Sequence, residues 1–124
     1  LKLAKEIKYN TAYFAQYSSR SGTTAAKLYK DEVPKSIKKK RWQELNKLIG
    51  QQSLIFNKKL VGQDGLVLID QHKKIGQNWL NLGKLANYTT VKILTKKPLK
   101  IGRFVKVKIN KALNWGVEAK INER

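Results

Sequence analysis

Between Arg103 and Ile109 the chain reads Arg-Phe-Val-Lys-Val-Lys-Ile, an aromatic ring and two ammonium groups at every second position. With a period of two, Phe104, Lys106 and Lys108 share one face of a strand, and Val105, Val107 and Ile109 share the other. Lysines in such a row can track phosphates, and an outward phenyl ring can stack on an unpaired base or pack on a neighbouring helix. Two further cations stand in polar or glycine-bearing turns: Arg20 in Ser18-Ser-Arg-Ser-Gly-Thr-Thr24, and Lys84 in Gly83-Lys-Leu-Ala-Asn87. A guanidinium such as that of Arg20 can grip a phosphate or a carboxylate through paired N–H groups. Other chemistries lack their parts. There is no cysteine and a single histidine, so no thiolate nucleophile, disulfide or zinc centre can be assembled. His72, among Asp70, Gln71, Lys73 and Lys74, reads as an exposed turn residue, and no P-loop, dinucleotide fingerprint or nucleophile elbow occurs.

The charge balance points the same way. Twenty-seven Lys and Arg against eight Asp and Glu give a net charge of +19, while 41% hydrophobic residues and two prolines are ordinary for a globular chain. Residues 1–59 carry 14 basic and 4 acidic side chains and residues 60–124 carry 13 and 4, so the excess is no detachable tail. A surface of this kind attracts a polyanion, and counterion release makes nucleic acid the natural partner. No apolar run approaches the roughly 20 residues a membrane helix needs, and the basic stretch at 35–41 lacks the apolar face of a membrane-surface helix, so no membrane partner is expected. The missing cysteines fit a reducing cytoplasmic setting. The absence of methionine and the abrupt opening Leu1-Lys-Leu-Ala4 predict that the chain begins inside a longer protein.

These side chains need elements to hold them. Leu1, Leu3, Ala4 and Ile7 recur at helical spacing, and Asn10 can close that helix. Thr11–Tyr17, aromatic and without helical period, predicts a buried strand, so that helix and strand give an α/β rhythm. Thr23 or Thr24 can cap a one-turn helix at 25–28. Pro34 then starts a helix of ~23 residues to about Asn57, roughly 34 Å long, with Trp42, Leu45, Ile49, Ser53 and Phe56 as its stripe and Lys38, Lys39, Lys40 and Arg41 in its first turns. Beyond Leu60 five short strands are expected at 65–69, 79–85, 89–94, 103–109 and 115–121, with Trp115, Val117, Ala119 and Ile121 inward in the last. Trp42, Trp79 and Trp115 read as packing residues.

Two sets of segments carry a resemblance. Ala12-Tyr-Phe-Ala-Gln-Tyr-Ser-Ser-Arg-Ser-Gly-Thr-Thr-Ala-Ala-Lys-Leu28, Asp31-Glu-Val-Pro34 and Lys39-Lys-Arg-Trp-Gln-Glu-Leu45 resemble the radical-SAM tRNA methylthiotransferases of the MiaB type, whose pattern is AYxxxYSPRPGTxAAxL, DxVP and KxxR. Leu60-Val-Gly62, Gly83-Lys-Leu-Ala-Asn87, Ile101–Ile109 and Trp115 look like that family's C-terminal TRAM domain, an RNA-binding β-barrel. Ser19, Ser21 and Thr24 stand where the family usually has proline, and Lys84 where it often has arginine, which removes a bidentate fork but keeps the charge. Arg20 matches the family's arginine, where relatives acting on a ribosomal protein tend to carry an acid.

The resemblance implies an α/β fragment plus a small all-β barrel, OB-like with five antiparallel strands. Residues 1–33 would be the end of a radical-SAM partial TIM barrel, 34–58 a connecting helix and 59–124 the TRAM barrel. The parent enzyme would use S-adenosylmethionine and two four-iron four-sulfur clusters to add a methylthio group at C2 of isopentenylated adenosine beside the anticodon. This piece would hold no cofactor or metal and no catalytic residue, and would be inactive alone. Ser18, Arg20, Gly22 and Thr23 would face substrate or cofactor at the mouth of the barrel. Lys84, Asn87, Arg103, Phe104, Lys106 and Lys108 would bind RNA. The expected partners are tRNA and the rest of the catalytic chain, with the protein monomeric. Two other readings stay open: the same superfamily acting on threonylcarbamoyl-adenosine, and a free-standing RNA-binding or ribosome-associated module.

Overall fold

The computed structural model describes residues 1–9 and 12–122, and the chain divides into two compact units, Leu1–Gly50 and Gln51–Arg124. In chain order come α1 (Lys2–Ile7), α2 (Thr24–Leu28), α3 (Lys35–Lys58), β1 (Asp64–Ile75), β2 (Asn78–Lys84), β3 (Thr90–Thr95), β4 (Phe104–Ala112) and β5 (Val117–Ile121).

In the second unit the strands close into a barrel of order β1-β2-β3-β5-β4. Apolar residues at alternate positions build the core: Val67 and Ile69 from β1, Val91 and Ile93 from β3, Val107 and Ile109 from β4, Val117 and Ala119 from β5. The alternation expected in β4 is present, with Phe104, Lys106 and Lys108 outward. Two expectations change. The strands are not all antiparallel, because β3 and β5 pair in parallel. Neighbours around a closed ring of five cannot all run in opposite directions, so an odd count forces at least one parallel contact. His72 lies in a strand, because β1 runs on to Ile75 and pairs with β2 through a bulge between Ile69 and Gln71. That bulge bends a strand too long to stay flat against a small core.

The last strand is also shorter than expected. Val117 and Ala119 point inward, but Trp115 precedes β5 and is 49% exposed, and Ile121 at the strand's end is 37% exposed. Gly83 of β2 has no room for a side chain, since a Cβ there would stand 2.5 Å from the Leu68 carbonyl oxygen. The α3 turn within this unit is fixed by Asn57, whose Nδ2 donates to the carbonyls of Leu113 (2.8 Å) and Gly116 (3.1 Å). Ile49, Ser53 and Asn57, four residues apart, form the buried stripe of α3, and Phe56 is only half-buried.

In the first unit α1 ends at Lys8, whose backbone turns left-handed at φ 57°. The capping role expected of Asn10 lies outside the described residues, as does Thr11. The strand expected over 11–17 is not formed in its described part, residues 12–17. A strand needs a neighbour to exchange ladder hydrogen bonds with, and here side chains of α3 take the backbone acceptors instead. Trp42 Nε1 donates to the Phe14 carbonyl at 2.8 Å, and Lys38 Nζ to the Tyr17 carbonyl at 2.9 Å. Lys38 also pairs with Asp31 at 2.7 Å and lies 5.5 Å from the Tyr17 ring centre. The α/β rhythm expected for this unit is therefore absent among the described residues, which form helices and irregular chain.

Candidate nucleic-acid interface

Three of the residues singled out in and just before β4 converge on an open groove of about 520 Å³. Arg103, Phe104 and Lys106 line it, together with Lys100, Ile121 and Asn122, which the sequence reading did not nominate. Phe104 is 60% exposed, so its ring is presented rather than packed away. Three cations around one exposed ring form a surface that attracts phosphate and offers a base a stacking partner.

The segment between β3 and β4 brings two of these cations, and it is tied down at both Leu99 and its end, where the Gly102 N–H donates to the Ile69 carbonyl at 2.7 Å and the Ile69 N–H to the Arg103 carbonyl at 3.0 Å. The Leu99 N–H donates to Oδ1 of Asn81 at 3.0 Å, and the Leu99 carbonyl meets Nδ1 of His72 at 3.0 Å. A carbonyl only accepts, so Nδ1 carries the proton in that contact. Asn81 is fully buried and also donates to the Ile93 carbonyl (3.1 Å) and to Thr95 Oγ1 (2.8 Å). The His72 ring stands edge-on to Trp79 at 5.3 Å. The signal for Lys100 was the turn Pro98-Leu-Lys-Ile-Gly102 leading into β4, with Gly102 at φ 87°.

Lys108 lies outside the groove lining, across from Asp64 of β1 and Lys120 of β5. Lys84 is nearer in register: it pairs with Leu68 of β1, and Leu68 pairs with Phe104. The Lys84 ammonium donates to Thr90 Oγ1. Asn87 belongs to the turn between β2 and β3, where its Oδ1 accepts from the Thr89 N–H at 3.1 Å.

In the first unit Thr23 caps α2 by accepting from the Ala26 N–H at 3.2 Å, and its hydroxyl donates to the Arg20 carbonyl at 2.7 Å. Gly22 takes φ 84° between them, a left-handed conformation that glycine adopts at little cost. Ser18 and Arg20 are exposed. The four loop residues thus form one capped turn that presents the Arg20 side chain to solvent. Among the described residues no group of acids, histidine or cysteine could hold a metal ion, and no helix is long and apolar enough to cross a membrane.

A small closed barrel with a basic, aromatic-bearing outer face is a nucleic-acid-binding architecture. The family model of the TRAM domain matches residues 58–121, and the chain belongs to the TRAM-domain family. Its resemblance to the MiaB-type methylthiotransferases is borne out over nearly its whole length. It is 36% identical to a tRNA-2-methylthio-N(6)-dimethylallyladenosine synthase of Bacillus cytotoxicus, covering 99% of this chain and 24% of that relative. Identity is 34% with the Bacillus mycoides synthase, with 98% and 23% covered, and 35% with one from Bacillus cereus, with 99% and 24% covered. The chain therefore spans about a quarter of the length of the curated relatives it matches.

Proposed function

We propose that this chain is the tRNA-docking portion of a methylthiotransferase that modifies C2 of isopentenylated adenosine next to the anticodon. The observation that carries this is the groove in which Lys100, Arg103 and Lys106 surround the exposed Phe104, within the stretch that matches the TRAM domain. Lys84, Arg103, Lys106 and Lys108 supply phosphate contacts, Phe104 a stacking face, and Asn87 the turn beside Lys84. Residues 1–33 belong to the end of the catalytic barrel, where 12–17 would find strand neighbours, and 34–58 connect it to the RNA-binding barrel. Ser18, Arg20, Gly22 and Thr23 then face substrate or cofactor. The protein works as a monomer in the cytoplasm, joined to the rest of its catalytic chain.

The chemistry itself is supplied elsewhere. Iron-sulfur clusters are held by cysteine thiolates, and this chain has none, so its residues do not fit the clusters that such a parent enzyme uses with S-adenosylmethionine. What the chain contributes is affinity: binding energy gained on the tRNA body is available to hold the target base at a distant site.

Replacing Lys106 and Lys108 together by alanine tests the reading. Each lost phosphate contact removes about 0.7–0.9 from the slope of log affinity against log salt, so the double variant flattens it by roughly 1.4–1.8. An unchanged slope in a tRNA titration would place the RNA elsewhere.

A further inference from the structure

The turn between β2 and β3 carries a feature that the docking reading leaves unused. Tyr88 is 81% exposed and sits at φ 65°, a left-handed backbone that bulky side chains rarely adopt. The turn is closed around it: Leu85 N–H donates to the Thr89 carbonyl at 3.0 Å and Tyr88 N–H to the Leu85 carbonyl at 2.9 Å, and Asn87 holds the Thr89 N–H. A strained conformation, held by three hydrogen bonds, places a phenol ring in water where burial gains nothing. Such strain concentrates at sites that meet a ligand.

The register shows where the ring leads. Thr90 pairs with Lys84, Lys84 with Leu68 and Leu68 with Phe104, so a single outward row runs across β3, β2, β1 and β4. Three inter-strand steps of about 4.8 Å make roughly 14 Å, the reach of a few nucleotides. Tyr88 stands two residues before one end of the row, and Phe104 with Lys100, Arg103 and Lys106 occupies the other. Between them lie the Lys84 ammonium and the partly exposed Leu68. Aromatic rings at both ends, one cation between them and three more beside Phe104 suit unpaired bases on a phosphate chain. A duplex, whose bases are already stacked on one another, cannot use the rings.

We propose that Tyr88 is a second base-stacking residue and that the row from Tyr88 to Phe104 binds a single-stranded RNA segment laid across the strands. This rests on the RNA-docking reading above and specifies its ligand. The test compares a fluorescein-labelled, unstructured oligouridylate with a blunt RNA duplex of equal length, titrated into the whole chain at fixed low ionic strength. The parent binds the single strand more tightly. Tyr88→Gly, which removes the ring and relieves the left-handed backbone, weakens single-strand binding about 10-fold and leaves duplex binding unchanged, while Tyr88→Phe retains parental affinity. Parental single-strand affinity in Tyr88→Gly, or equal losses on both RNAs, would overturn the inference alone. A parent chain that binds neither RNA would overturn the docking reading beneath it.

Discussion

The two units answer the need for a hydrophobic core in different ways. Residues 51–124 enclose eight buried apolar side chains from four strands in a ring whose every strand has two neighbours. In residues 1–50, two short helices, the first part of α3 and irregular chain leave Tyr13, Leu28 and Tyr29 69–89% exposed, and hydrogen bonds from Trp42 and Lys38 do the work of a sheet. Closure of a barrel satisfies the backbone and buries side chains together, whereas side-chain tethers satisfy a few carbonyls and bury little. Stability that resides in the ring is available to function, because Phe104 and Lys106 are fixed to a strand that cannot fray at an edge, and Lys100 and Arg103 to the turn that enters it.

This contrast can be broken by mutation. Truncating Ile93→Ala, at a position with no exposure, is expected to lower the stability of the second unit by about 2–5 kcal/mol in urea unfolding followed by circular dichroism. Leu28→Ala, at 69% exposure, should change stability by no more than about 0.5 kcal/mol; a cost equal to that of Ile93→Ala would erase the distinction. Asn57→Ala tests whether the end of α3 belongs to the barrel. It leaves the Leu113 and Gly116 carbonyls without the donor they share and should cost about 1–3 kcal/mol in the same assay. A second small effect is expected in the first unit. A double-mutant cycle on Asp31 and Lys38 should give a coupling of about 1 kcal/mol or less, falling as salt is added, since the carboxylate remains partly in water.

What the sequence made legible follows the same division. The alternation in Phe104–Ile109 was readable because Val107 and Ile109 on one face of β4 are buried, with Val105 partly so, while Phe104, Lys106 and Lys108 on the other are exposed. Thr23 was readable as a cap because its hydroxyl acts within one turn of chain. His72 was misplaced because β1 outlasts its apolar alternation, and only pairing with β2 keeps its polar half extended. Residues 12–17 have strand composition, but composition does not supply a partner. The roles of Asn57 and Asn81 depend on carbonyls far away in sequence, 56 and 59 residues in the first case, so no local signal marked them. In the groove, Arg103, Phe104 and Lys106 lay on or beside a readable strand and Lys100 in the turn just before it, whereas Asn122 joined them only through the pairing of β5 with β4, its N–H donating to the Lys106 carbonyl at 2.9 Å.

The crossover from β3 to β4 carries Lys96, Lys97, Lys100 and Arg103 within eight residues, a stretch that would spread apart by self-repulsion if it were slack. Fastening both backbone polar groups of Leu99, one to Asn81 and the other to His72, means that this repulsion is borne once, when the chain folds. An arriving polyanion then meets charges already assembled. Its association relieves crowding among them and has less loop freedom to extinguish.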